Sequence, residues 1–259
     1  REHTELVDRY DVFGVPTFVA DGVATFVRFM ELALYHPQFG YYMRPPDSGS
    51  ERIGWSGDFY TSSDVHPILG QAIARQARQI DAALGCPDPF TVVEMGPGKG
   101  LLAKHFLSAC RVQADDSFSR RLRYVLIERS PAMRELQRRN LLHGLCEPDR
   151  ITWVDDLPSL GPSHVTGLMF SNELPDAFPV HRIQMEKGTA QEIYVDYDGA
   201  TFVERLGPLS SPTVQEYLTR LKVALPDGYQ TEINTQAVRW MEQVAASIAG
   251  ITEAEGSPT

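Results

Sequence analysis

Apolar residues at Phe26, Phe29, Met30 and Ala33 recur at helical spacing and predict a helix over Thr25–Tyr35. His36-Pro37 ends it, because the residue before a proline disfavours the α region. Pro67 sits near the start of a second predicted helix, with Leu69, Ile73, Ala77, Ile80 and Leu84 on one face. From Thr91 the pattern changes to short apolar runs separated by helical segments. Strands are predicted at Thr91–Met95, Arg123–Glu128, Ile151–Val154 and Gly167–Ser171. Leu101–Ala109 reads as the helix after the first strand and Ala114–Arg120 as a polar loop. Ser130-Pro131 is a helix start, with Ser as N-cap and Pro at the first helical position. Repeated strand–helix units with short loops predict a parallel sheet with right-handed crossovers.

The periodicity changes again after Ser171. His181–Glu186, Gln191–Tyr197 and Thr201–Leu206 alternate as strands, with Lys187-Gly188 and Asp198-Gly199 as turns, and predict an antiparallel meander. Helices are predicted at about Pro212–Val223 and Glu232–Ala249, the latter with Ala237, Trp240, Met241, Val244 and Ile248 on its apolar face. Phe39-Gly40-Tyr41-Tyr42 is an aromatic patch, Pro45–Gly54 a loop and Thr252–Thr259 a frayed polar tail. The expected organisation is an N-terminal helical extension with a covering loop over 1–90, an α/β core over 91–180 and a meander with helices over 181–259.

The 259 residues carry a formal net charge of −10, which argues against a general nucleic-acid binder, since phosphate neutralisation needs basic surface. Two arginine clusters, Arg120/Arg121/Arg123 and Arg134/Arg138/Arg139, read as solvated faces. Cys86, Cys110 and Cys146 lack metal-ligand or C-x-x-C spacing and suit a reducing compartment. No metal site is expected. No apolar run approaches the ~20 residues of a membrane span, and no secretory signal opens the chain.

The stretch Glu94-Met95-Gly96-Pro97-Gly98-Lys99-Gly100 carries the chemistry. A phosphate-binding P-loop would need Ser or Thr after its lysine, and Lys99 is followed by Gly100. The dinucleotide fingerprint G-x-G-x-x-G differs from the G-x-G-x-G spacing here. An acid before three glycines fits S-adenosylmethionine, which has no phosphate but offers an ammonium, a sulfonium and a ribose diol. A plain strand-to-helix turn is the alternative. Glu128, ending the second strand, could accept hydrogen bonds from both ribose hydroxyls, or be a solvated strand-end charge. Asp155-Asp156 fall where an adenine amino group could be read, or cap a turn. Asn172-Glu173 end the fourth strand, near where the methyl group would be transferred, or form an ordinary turn.

Four segments in order support a closer reading: Phe29–Pro37 followed by Phe39–Tyr42; Gly57-Asp58-Phe59-Tyr60-Thr61-Ser62; Glu94–Gly100; and Ser171-Asn172-Glu173-Leu174-Pro175-Asp176-Ala177-Phe178-Pro179-Val180. Together they resemble the MidA family of S-adenosylmethionine-dependent methyltransferases, over about Phe26 to Ala249. The resemblance implies an α/β fold: a Rossmann-like class I methyltransferase sheet with an N-terminal helical extension and a β-meander insertion. It implies that Gly96, Gly98 and Gly100 line the cofactor, with Glu94 at the strand end before them. Glu128 would hold its ribose and Asp155-Asp156 approach its adenine. Asp58, Tyr60, Thr61 and Ser62 would fold over it. Asn172, Glu173 and Asp176 would face the acceptor, with Glu173 as the orienting acid and Asp176 second. The implied acceptor is an arginine of a protein, since mitochondrial members methylate an arginine of a complex I subunit. A cytoplasmic location is expected for a bacterial chain and the mitochondrial matrix for a eukaryotic one. A homodimer is a possible assembly. A small-molecule methyltransferase walled by Phe39–Tyr42 and Phe59-Tyr60, and a non-catalytic cofactor-binding assembly factor, are the competing readings. Pro175 stands where the family has a larger apolar residue, and the C-terminal strands of the family sheet are expected to be missing after the last helix.

Overall fold

The computed structural model describes residues 23–44, 53–111, 117–142, 150–161 and 165–248. In chain order, β1 (Ala24–Thr25) leads into α1 (Phe26–Tyr35), followed by α2 (Ser62–Val65) and α3 (Ile68–Ala83). Next come β2 (Phe90–Met95), α4 (Leu101–Arg111), α5 (Ser117–Arg121), β3 (Leu122–Ile127), α6 (Pro131–Leu142) and β4 (Ile151–Val154). After β5 (Gly167–Ser171) follow β6 (His181–Glu186), β7 (Thr189–Tyr197), β8 (Phe202–Gly207), α7 (Pro212–Leu221), β9 (Gln230–Ile233) and α8 (Thr235–Ser247). These residues form two compact units, each discontinuous in sequence. One takes the described residues of Pro45–Leu174 and Glu242–Thr259; the other takes those of Arg1–Arg44 and Pro175–Met241.

The first unit is organised by a parallel sheet of order β4-β3-β2-β5. The chain runs outward from β2 through β3 to β4, then returns to the other side of β2 for β5. That reversal places a topological switch point between β2 and β5, the position where open α/β sheets bind ligands at their carboxyl ends. Register follows burial: Val92, Val93, Glu94 and Met95 are all buried, as expected of a strand covered on both faces. Phe90, Phe106, Tyr124, Leu126 and Leu141 centre the core, joined by Ala74 and Ala77 of α3. The α3 face differs in part from its apolar pattern, because Leu84 is half-exposed and Gly70, Ala74, Ala77 and Asp81 point inward. Gly70 is needed there: a Cβ would come within 2.6 Å of the His105 Cβ. Asp81 is tolerated because Arg121 donates to both its oxygens at 2.7 and 2.8 Å and to the Pro87 carbonyl at 2.6 Å. Arg121 is thus a part-buried ion-pair partner rather than part of a solvated basic face. The expected polar loop at 114–120 holds a helical turn from Ser117, anchored by buried Phe118; its start lies outside the described residues.

The second unit carries an antiparallel sheet. β6, β7 and β8 form the expected meander, and β1 and β9 extend it, pairing with β7 and β6 respectively. β9 was not anticipated. Its Gln-Thr-Glu-Ile sequence alternates only weakly, so its strand state comes from pairing His181–Gln184 with Gln230–Ile233. The helix expected from Glu232 therefore starts at Thr235, where Asn234 Oδ1 accepts from the Ala237 N–H at 2.8 Å. Ile183, Ala190, Val214 and Ile233 form the core. From β6 to β7, His181 Nδ1 lies 2.7 Å from the buried Glu192 carboxylate, which also accepts from the Ser210 N–H at 2.6 Å. The expected tail at 252–259 and most of the 45–54 loop lie outside the described residues.

Candidate functional site

The glycine loop continues β2 directly. Gly96 N–H donates to the Ile127 carbonyl at 3.1 Å and Gly100 N–H to the Pro97 carbonyl at 2.8 Å. Gly96, Gly98 and Gly100 have φ of 67°, 52° and 76°. These left-handed values cost a residue with a Cβ roughly 1–2 kcal/mol each. Space separates their roles. A Cβ on Gly96 would lie 2.8 Å from Leu174 Cδ1, and one on Gly100 3.2 Å from Gln137 Cγ. A Cβ on Gly98 meets no protein atom within 4 Å. Gly96 and Gly100 serve close packing, whereas Gly98 borders open space that a ligand can enter.

Glu94 ends the buried strand with its side chain inside the protein. It is 3% exposed, and Tyr124 Oη donates to its Oε2 at 2.6 Å. Burial pushes its carboxyl pKa up to about 8, opposed by that hydrogen bond. Glu94 is therefore a buried acid at a strand end, and a positive charge beside it would favour its ionisation.

Glu128 follows β3, its N–H continuing the ladder to the Val154 carbonyl at 3.0 Å. Its Oε1 accepts from the Ser130 N–H at 2.8 Å and its Oε2 from Gln137 Nε2 at 3.1 Å. Burial raises its pKa; the hydrogen bonds from Ser130 and Gln137 and the Arg134 charge work against that rise. The two aspartates after β4 divide. Asp155 pairs with Arg134, while its side chain stays 72% exposed. Asp156 Oδ1 accepts from the Ser159 N–H at 2.9 Å, inside the 3₁₀ turn Pro158–Leu160 whose N-cap position is Leu157. That hydrogen-bonding holds Asp156 below the usual carboxylate range. Its local work is to hold the turn through Ser159.

The segment before α3 meets the glycine loop. Lys99 Nζ pairs with Asp64 Oδ1 at 2.5 Å, the side chains being 14% and 3% exposed. Asp64 Oδ2 accepts from Thr61 N at 2.9 Å and Thr61 Oγ1 at 3.1 Å. Burial disfavours the Asp64 anion, yet the Lys99 and Thr61 donors hold its pKa below the ordinary value. Asp58, Tyr60 and Ser62 are exposed in the same segment, and the Tyr60 ring stacks on Trp55 at 4.7 Å.

After β5, Ser171 lies opposite Met95 in the register, so Asn172 and Glu173 emerge beside the glycine loop. Glu173 is exposed with φ of 57°. An acid held in the left-handed region is uncommon outside functional turns. Asp176 belongs to the other unit. Its 3₁₀ turn is fixed by Tyr35 Oη donating to the Ala177 carbonyl at 2.7 Å and Asn234 Nδ2 to the Pro175 carbonyl at 3.2 Å. The Tyr35 ring stacks on Tyr42 at 5.6 Å. The Tyr42 hydroxyl is raised in pKa by burial and then by the charge of Asp176.

Sequence reasoning missed Gln137, Trp153, Asn140 and the Lys99–Asp64 pair. A signal was present for Gln137, a polar residue four positions before Leu141 on the buried face of α6.

A parallel sheet reversing beside its central strand, a glycine loop at the reversal and an acid after the next strand define a nucleoside-cofactor α/β protein of the methyltransferase kind. Residues 72–256 match the family described as "Putative S-adenosyl-L-methionine-dependent methyltransferase", and the chain belongs to that family. It is 28% identical over 206 residues to the mitochondrial protein arginine methyltransferase NDUFAF7 homolog of Drosophila melanogaster, covering 70% of this chain and 44% of that one. The human NDUFAF7 protein is 25% identical over 194 residues, covering 68% and 42%. A crystal structure from Burkholderia thailandensis, solved bound to S-adenosyl-homocysteine, superposes with a TM-score of 0.73 at 28% identity. That match covers 95% of this chain and 59% of the other. The chain thus spans under half the length of the curated relatives named here.

Proposed function

We propose that the chain binds S-adenosyl-L-methionine at the carboxyl ends of β2, β3 and β5 and transfers its methyl group to an arginine of a protein. The observation that carries the reading is the glycine loop at the β2/β5 switch point, with Gly98 open to a ligand and acids following β3 and β5. The donor supplies an electrophilic methyl on a sulfonium. Gly96, Gly98 and Gly100 let it approach the backbone. Glu128 accepts from the ribose hydroxyls with the lone pairs that Ser130 and Gln137 leave. Asp58, Tyr60, Thr61 and Ser62 cover it, their segment held by Lys99 and Asp64. Asp155 and Asp156 border the adenine end, mainly through backbone that their pairing with Arg134 and Ser159 orders. Glu94 matches the positive charge of the donor, and its ionisation is favoured by that charge.

On the acceptor side, Asn172 and Glu173 orient the guanidinium nitrogen. Bound S-adenosyl-L-methionine would supply its methyl to that nitrogen and keep the C–S electron pair on sulfur, and Glu173 would take the proton that the nitrogen gives up. A reducing compartment, the cytoplasm of a bacterium or the mitochondrial matrix of a eukaryote, suits the sparse cysteines. A homodimer completes the reading.

Calorimetry with S-adenosylhomocysteine and a labelled-methyl assay on arginine peptides test this. Binding is expected at micromolar levels, with loss in Gly98→Val, and label is expected on arginine. Transfer to small amines or hydroxyls but not to peptides would favour the small-molecule reading. Binding without any transfer would favour the non-catalytic one.

A further inference from the structure

Gln137 is fully buried on α6, and its amide joins three strand ends. Nε2 donates to the Gly98 carbonyl at 2.7 Å, after β2, and to Glu128 Oε2 at 3.1 Å, after β3. Oε1 accepts from the Trp153 indole N–H at 2.9 Å, in β4. An indole nitrogen only donates, so the amide oxygen must face Trp153 and the NH₂ must face the loop and the acid. Three residues along α6, Asn140 Nδ2 donates to the Lys99 carbonyl at 2.9 Å. Two consecutive loop carbonyls are therefore held from one side by one helix, which fixes the face that the loop turns toward Gly98's open space. Gly100 permits the approach, since a Cβ there would press on Gln137.

We propose that Gln137 is a positioning residue of the cofactor site, coupling the Glu128 carboxylate to the Gly98 loop, with Trp153 setting the orientation of its amide. The inference rests on the reading of S-adenosyl-L-methionine as the ligand. A lone ribose-binding acid would need only its own strand end, and a lone glycine loop only its own turn. The shared amide means that neither can shift without breaking a buried hydrogen bond of the other. Burial raises the Glu128 pKa, and the hydrogen bond that Gln137 donates works against that rise, favouring the carboxylate form that accepts from two hydroxyls.

Two variants test the coupling by different routes. Gln137→Met keeps the length and apolar packing of the side chain and removes all three hydrogen bonds. Trp153→Phe leaves Gln137 in place and removes the donor that orients it. Each is titrated with S-adenosylhomocysteine by calorimetry from about pH 6 to about pH 9, with circular dichroism to confirm the fold. Gln137→Met is expected to weaken binding by roughly tenfold or more and to move its pH dependence upward. Trp153→Phe is expected to weaken it by a smaller factor, and the double variant to be no worse than Gln137→Met. Affinity within about twofold of the parent and an unchanged pH profile in Gln137→Met overturn the inference, as do losses that add in the double variant. Should Gln137→Met not fold, unchanged affinity in Trp153→Phe overturns it. A parent chain that does not bind S-adenosylhomocysteine overturns the cofactor reading instead, and shows this before any substitution is made.

Discussion

An acid at the end of a buried strand takes its behaviour from its surroundings, and Glu94 shows how far that can go. With Tyr124 as its hydrogen-bond partner and almost no solvent, its pKa stands at about 8 against an ordinary 4.5. A folded-state pKa raised above the unfolded one means that the folded chain holds a proton which the unfolded chain releases. The associated stability is present below about pH 4.5 and is lost as pH rises through about 8. Glu94→Gln removes this titration while keeping an acceptor for Tyr124. The stability difference, parent minus variant, measured by urea unfolding, is therefore expected to fall between about pH 5 and 8 and to level above. A difference independent of pH would show that Glu94 is ionised in the folded chain throughout. The sequence placed Glu94 at a strand end but did not give its burial, because a strand-end position leaves open which way a side chain turns. The same limit applied to Asp156, whose carboxylate turns to Ser159.

At the scale of elements, periodicity read the strands around the site to within a residue. Ile151–Val154, Gly167–Ser171 and His181–Glu186 emerge as predicted. These segments are short, apolar and bounded by turn residues, so local preference and tertiary environment agree. β9 was lost because pairing with β6, not its own pattern, makes it a strand. The Lys99–Asp64 pair is a contact between elements of the same kind, joining the glycine loop to α2 across 35 residues that no local pattern spans. Lys99→Met would leave the buried Asp64 carboxylate with the Thr61 donors alone. A loss of about 3 kcal/mol is expected in urea unfolding, together with weaker S-adenosylhomocysteine binding as the 61–64 segment loosens. Unchanged stability would mean that Asp64 is solvated well enough without its partner.

For the whole molecule, two units share one chain, and each closes its own sheet. The net charge of −10 belongs to this scale. A protein acceptor bearing arginine is a cation in the proposed reaction, and an acidic surface field raises its local concentration. The KM for a basic arginine peptide is thus expected to rise several-fold between about 50 mM and about 300 mM salt, with kcat little changed, as screening shortens that field. A KM insensitive to salt would assign recognition to short-range contacts alone. Among the described residues, no helix is long and apolar enough to cross a membrane. What the sequence determined by itself was the set of local events: the βα alternation, the Glu94–Gly100 loop, the N-cap at Ser130 and the acids at strand ends. Each follows from backbone preferences and burial periods that operate within a few residues. The tertiary structure alone decided the β4-β3-β2-β5 order, the inward turn of Glu94, the Lys99–Asp64 pair and the Gln137 amide that ties three strand ends together. Those depend on which distant segments share a dry interior, where a polar group must find a partner whatever its distance along the chain.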